Sequence, residues 1–137
     1  LLGDGALVIW DQATPAAVAE ALTVFNSYLS FVKEEFFTTY PDLGLGGALV
    51  QEVIYKYEIS AEMSSLKYRD YFGYGINLAC RLQGIANGDQ LIVNKALAEK
   101  KHFDTVVSMD AKLLEELRRL KGLKEDDREA AIFYTQQ

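Results

Sequence analysis

Asp70-Tyr71-Phe72-Gly73-Tyr74-Gly75-Ile76-Asn77-Leu78-Ala79-Cys80-Arg81-Leu82 changes character in its middle. Up to Phe72 the residues are aromatic and β-prone. From Ile76 the apolar residues recur at helical spacing, and Gly73-Tyr74-Gly75 opens the helix. Asn77 and Arg81 stand four apart and so share one face of that helix, leaving Ile76, Ala79 and Leu82 to face a core. Arg offers forked donors to a phosphate, Asn can donate to a sugar or an oxyanion, and Asp70 on the preceding strand can accept from a base. The same residues also suit a solvated helix face and a surface Asp, and at this point the sequence leaves both open.

Toward the N-terminus, Val53–Ile59 and Leu66–Phe72 read as two strands, or one long hairpin around Ser60–Ser65. Leu43–Ile54 is β-prone but carries Gly44, Gly46 and Gly47, which suggest close backbone approach. They do not form a phosphate-cradling loop, because no Gly-Lys-Ser/Thr follows. Thr14-Pro15 marks a helix start, with Thr as N-cap, and the helix is expected to end near Phe37–Tyr40, before Pro41. Gly3-Asp4-Gly5 reads as a hairpin turn with Ala6–Trp10 as its return strand. The opening residues read as the inside of a folded element, so the chain is expected to begin in mid-domain.

Toward the C-terminus, Asn87-Gly88-Asp89 stops the helix. Gln90–Val93 reads as a short buried strand, Asn94–Lys101 as a short helix, Phe103–Val107 as a strand and Ala130–Thr135 as the closing strand. Ala111–Leu120 has helix-forming composition and alternating Leu, and propensity does not decide it. The expected class is α+β, a mixed, largely antiparallel sheet with helices packed on it, in a single domain over 1–137.

Composition excludes several functions. The chain has 137 residues, 14 Lys+Arg, 20 Asp+Glu and a net charge of −6, which argues against a general nucleic-acid binder. One cysteine, Cys80, excludes an internal disulfide and a Cys-based zinc site. No apolar run approaches the roughly 20 residues needed to span a bilayer. A cytoplasmic location is expected.

Asp4 is flanked by glycines at a turn tip, where a carboxylate is held rigidly and approached closely. That suits Mg²⁺, although a plain turn has the same composition. The other polar residues carry blander expectations. His102 beside Lys100 and Lys101 reads as a surface residue, Cys80 as core, Lys121-Gly122-Leu123-Lys124 as a basic turn that could also touch phosphate, and Asp126-Asp127 as a solvated turn.

Taken together, the Gly3-Asp4-Gly5 hairpin, the Ala-rich helix, the Gly-rich strand, the run from Asp70 through Asn77 and Arg81 to Leu82, and Gly88-Asp89-Gln90-Leu91-Ile92-Val93 resemble the catalytic domain of class III nucleotidyl cyclases, the adenylate/guanylate cyclase family. The resemblance covers nearly the whole chain, and Asp-x-x-Gly-x-x-Ile-Asn-x-Ala-x-Arg-Leu is its specific part. It implies a ferredoxin-like, palm-like domain that is N-terminally incomplete here. The first strand and helices would lie upstream, with the first metal aspartate and the base-reading Lys. It also implies two-metal chemistry with Mg²⁺ or Mn²⁺, in which a ribose 3′-hydroxyl attacks the α-phosphorus and pyrophosphate leaves.

By the same resemblance Asp4 matches the second metal aspartate, and Gly5 beside it belongs to the substrate-binding turn. Asn77 matches the residue that orients the ribose, and Arg81 the one that stabilises α-phosphate charge. Asp70 falls where adenylate cyclases read adenine. The metal aspartates and the Asn/Arg pair are expected to meet across a head-to-tail homodimer. The family's late phosphate-binding Lys maps near Leu123, with Lys121 and Lys124 beside it, and Leu43–Val50 lacks the Arg and His-Thr-Gly of many bacterial members.

The base stays open. Asp70 favours adenine, whereas Arg69 and the crowd of Tyr68, Tyr71, Phe72 and Tyr74 can shrink the pocket. Bacterial pyrimidine cyclases, which make cyclic UMP or CMP as anti-phage signals, belong to the same superfamily. A catalytically degenerate dimerisation or nucleotide-sensing module is the alternative. A cyclic-dinucleotide palm ranks last, because Gly3-Asp4-Gly5-Ala6 lacks an adjacent acid.

Overall fold

The computed structural model describes residues 5–36, 39–42, 44–60, 67–100, 103 and 107–134. Thr14 starts the first helix as its sequence predicts: its Oγ1 accepts from Ala17 N at 3.1 Å, and α1 runs Pro15–Phe36. Val18, Ala21, Leu29 and Val32 form its buried stripe. The Gly-rich run yields a short strand, β1 (Gly47–Leu49), and Gly44 lies so close to Gly88 that a Cβ there would stand 2.8 Å from the Gly88 Cα. The next two strands, β2 (Tyr55–Ser60) and β3 (Lys67–Phe72), pair antiparallel as a separate ribbon, with Tyr55 opposite Phe72 and their rings stacked at 5.5 Å.

Helix α2 (Tyr74–Ile85) follows, then β4 (Gln90–Val93), the one-turn α3 (Lys95–Ala98) and β5 (Val107–Ser108). Helix α4 (Ala111–Arg119) settles the ambiguity of that segment. Asp110 caps it, Oδ1 accepting from Lys112 N at 2.8 Å and Leu113 N at 3.4 Å, and Leu113 and Leu117 bury at helical spacing. A short 3₁₀ turn (Glu125–Arg128) leads into β6 (Ala131–Tyr134).

The four-stranded sheet has the order β1-β4-β6-β5. β1 runs parallel to β4, and both pairs made by β6 are antiparallel, so the sheet is mixed and mostly antiparallel. Side chains alternate across it. Ile92, Ala130 and Ile132 pack with Leu78 and Leu82 of α2 and Leu113 and Leu117 of α4. Val93 and Ala131 pack with Val18 of α1 and Leu97 of α3. Helices therefore cover both faces, and the chain is α+β.

The predicted return strand Ala6–Trp10 is not formed: only Gly5 makes a bridge, and Ala6, Leu7 and Val8 are exposed. Extended geometry becomes a strand only through a partner's hydrogen bonds, and these residues find none among the described residues. The tip itself, Gly3-Asp4, lies outside the described residues. The strand predicted over Phe103–Val107 appears as Val107–Ser108, with 104–106 outside the described residues; Phe103 packs its ring 5.8 Å from Phe133.

Asn94, predicted to begin the short helix, does not cap it with its side chain. It is fully buried, and its amide pairs with the backbone of Gln51 instead. Oδ1 accepts from Gln51 N at 3.1 Å and Nδ2 donates to Gln51 O at 3.0 Å. The side chain thus imitates a peptide unit and prolongs the β1–β4 pairing after β4 has ended. Asn94→Ala removes both bonds and strands a partly buried N–H and C=O, at an expected cost of about 2–3 kcal/mol. Urea unfolding should show a lower midpoint at an unchanged m-value, and a loss below about 0.5 kcal/mol would refute the role.

Candidate active site

Helix α2 presents three different surfaces. Gly73 precedes it at φ 122°, a left-handed conformation that favours glycine and lets β3 turn directly into the helix. Gly75, Leu78 and Leu82 are buried. Ile76, Ala79, Cys80 and Gln83 line an open groove of about 1070 Å³ that continues along α1, the Gly44–Ile54 segment and Gly5–Ala13. Asn77 and Arg81 lie on the remaining flank.

This corrects two expectations. Ile76 and Ala79 are half-buried in the groove wall, and Leu78 takes the core position instead. Cys80 is exposed, not core. Apolar neighbours marked the helix, but a helix with an open groove on one side buries only part of its apolar surface.

Asn77 is exposed and Arg81 half-buried. Among the described residues the buried Arg81 Nε has no hydrogen-bond partner and the side chain makes no ion pair. Such a donor costs about 1–3 kcal/mol unless an acceptor reaches it. Beside the guanidinium lies Gly122, at φ 81°; a Cβ there would be 4.0 Å from Arg81 Nη2. The Lys121–Lys124 turn, which the sequence offers as a basic turn able to touch phosphate, is thus brought to Arg81. Lys121 is exposed and makes no ion pair among the described residues.

A second constellation was not legible in the sequence. The Tyr74 hydroxyl donates to Asp127 Oδ2 at 2.6 Å and accepts from Lys124 N at 2.8 Å. Lys124 Nζ sits 4.5 Å above the Tyr74 ring and 4.0 Å from Glu52 Oε1. Asp127, expected in a solvated turn, is only 5% exposed. Burial, together with the Asp127 carboxylate, pushes the Tyr74 phenol up to about 12, so it stays a neutral donor in any ordinary buffer. Arg128 fastens the other side of this corner, donating to Leu117 O at 2.7 Å and Leu120 O at 2.9 Å at the end of α4.

The other predicted site residues are dispersed. Asp70 is exposed on β3 opposite Tyr57, and its Oδ1 accepts from Tyr71 N at 2.8 Å. Arg69 stands at the neighbouring register position, opposite Glu58. Gly5 lines the groove, which Asn77 and Arg81 do not. Asp4 and His102 lie outside the described residues. Among the described residues no group of three or more His, Cys, Asp or Glu could hold a metal ion. None of their helices is long and apolar enough to cross a membrane.

The chain matches no protein-family model, no curated protein and no solved structure.

Proposed function

We propose that this chain is a nucleotidyl cyclase catalytic domain that converts a nucleoside triphosphate to a 3′,5′-cyclic nucleotide and pyrophosphate. One observation carries the proposal most directly. Asn77 and Arg81 share one flank of α2, and Arg81 holds an unpartnered buried donor beside the Lys121–Lys124 turn. A planar guanidinium with an unused N–H next to a basic turn is suited to a phosphate.

In the proposed reaction the ribose 3′-oxygen attacks the α-phosphorus, its proton passes to water, and the bond to the pyrophosphate oxygen breaks. Arg81 stabilises charge gathering on the α-phosphate oxygens, and Asn77 orients the ribose. Asp70 and Arg69 meet the base, and Gly5 belongs to the substrate-binding turn. The proposal includes two divalent ions, Mg²⁺ or Mn²⁺, with Asp4 as a ligand. Among the described residues no group of three or more His, Cys, Asp or Glu stands together to hold them.

Gly5 lines the groove and Asn77 and Arg81 do not, so a site using both Gly5 and the Asn77–Arg81 flank calls for two copies. The proposed enzyme is a homodimer with two shared sites.

The test is incubation of the purified protein with ATP, GTP, CTP and UTP in turn with Mn²⁺, each product being identified by mass. One cyclic mononucleotide is expected, and its base separates purine from pyrimidine signalling, including the cyclic UMP and cyclic CMP of anti-phage defence. No cyclic product from any of the four would refute the cyclase and leave the nucleotide-sensing module.

A further inference from the structure

We propose that Tyr74 is a positioning residue for anion binding at Arg81: its hydroxyl fixes the Lys121–Lys124 turn against the guanidinium. This rests on reading the Asn77–Arg81 flank as a polyphosphate site. Tyr74 and Arg81 are seven residues apart, two turns of α2, and so stand on one stripe of the helix. The basic turn lies along that stripe and meets it at both ends. Lys124 N donates to the Tyr74 hydroxyl at 2.8 Å, and Gly122 lies beside Arg81 Nη2.

The turn has few other ties. Lys121, Gly122 and Lys124 are exposed, and only Leu123 packs on the core. Its one hydrogen bond from backbone to α2, among the described residues, is the one that Tyr74 accepts. The hydroxyl is held in place by donating to buried Asp127 at 2.6 Å, and Asp127 N in turn donates to Lys124 O at 3.0 Å. The phenol therefore joins α2, the turn and the 3₁₀ segment at a single oxygen.

The charges divide accordingly. The Lys124 ammonium is engaged by the Tyr74 ring and Glu52, which leaves Lys121, exposed one residue before Gly122, as the turn's available cation. Arg81 Nε, buried and without an acceptor, marks where an anion's oxygen is wanted. Losing the hydroxyl frees the turn to drift from Arg81, and the anion then meets one fixed cation instead of two.

The experiment is calorimetric titration of the protein with inorganic triphosphate, well below its unfolding temperature. Tyr74→Phe keeps the ring and is expected to bind about tenfold more weakly. Asp127→Asn keeps an acceptor for the hydroxyl and is expected to stay within about twofold of the parent. A merely structural role would lower the melting temperature without moving the affinity. The proposal is overturned if Tyr74→Phe binds as tightly as the parent, if Asp127→Asn weakens binding as much as Tyr74→Phe, or if the parent binds no triphosphate. Should Tyr74→Phe not fold, Asp127→Ala removes the acceptor that holds the Tyr74 hydroxyl under Lys124 N; it is expected to weaken binding in the same direction, and unchanged affinity would overturn the proposal. Tyr74-dependent triphosphate binding without cyclic product from any nucleotide would uphold this inference and remove the cyclase.

Discussion

Arg81→Ala is expected to lower turnover by about 10²–10³-fold while the fold persists. The effect is large because the guanidinium is assigned to charge that develops on the α-phosphate only as the 3′-oxygen attacks. The fold should survive because the half-buried Arg81 side chain makes no hydrogen bond or ion pair among the described residues, so its removal orphans no partner. Truncation even removes an unpartnered buried N–H. Arg81→Lys should not rescue, since an ammonium lacks the planar fork. Steady-state turnover and a melting curve on the same preparation decide the matter: turnover within a few-fold of the parent would show that Arg81 has another role.

Mixing an Asp4→Asn subunit with an Arg81→Ala subunit is expected to restore activity that neither has alone. In a shared-site twofold dimer each site takes Asp4 from one copy and Arg81 from the other, so a heterodimer carries one doubly damaged site and one intact site. Random pairing makes half the dimers mixed, and half of their sites are whole, which sets the ceiling at roughly a quarter of the parent rate. The positions of Gly5 and of the Asn77–Arg81 flank motivate the experiment. Gly5 borders the groove along Ile76, Ala79, Cys80 and Gln83, while Asn77 and Arg81 lie on the other flank of the same helix. Heterodimers shown to form but left inactive would count against shared sites.

Much of the fold could be read locally, where local chemistry decides it. Thr14-Pro15 fixes the start of α1, Gly73 lets β3 turn into α2, and Gln90–Val93 and Ala131–Tyr134 are short apolar runs that become inner strands. The misreadings share one cause, since each depended on what lies opposite in space. Ala6–Trp10 has strand composition without a partner strand among the described residues. Cys80 sits among apolar residues but faces a groove. Asp127 looked like one of two solvent-facing acids, yet its partner, the Tyr74 hydroxyl, is 53 residues away. The candidate site divides in the same way. The spacing of Asn77 and Arg81 put them together on one flank, and the resemblance mapped a phosphate-binding Lys near Leu123, but nothing local announced that Tyr74 would hold that turn.

The Asn94 amide carries no formal charge, so the joint it makes with Gln51 is indifferent to acidity and ionic strength. A different kind of link between distant segments, Lys33 Nζ to Asp89 Oδ2 at 3.0 Å, is an ion pair open to water on both partners and fades as salt screens it. Brine should therefore loosen the C-terminal end of α1 from the bend before β4, while the seam where β4 gives way to α3 stays shut.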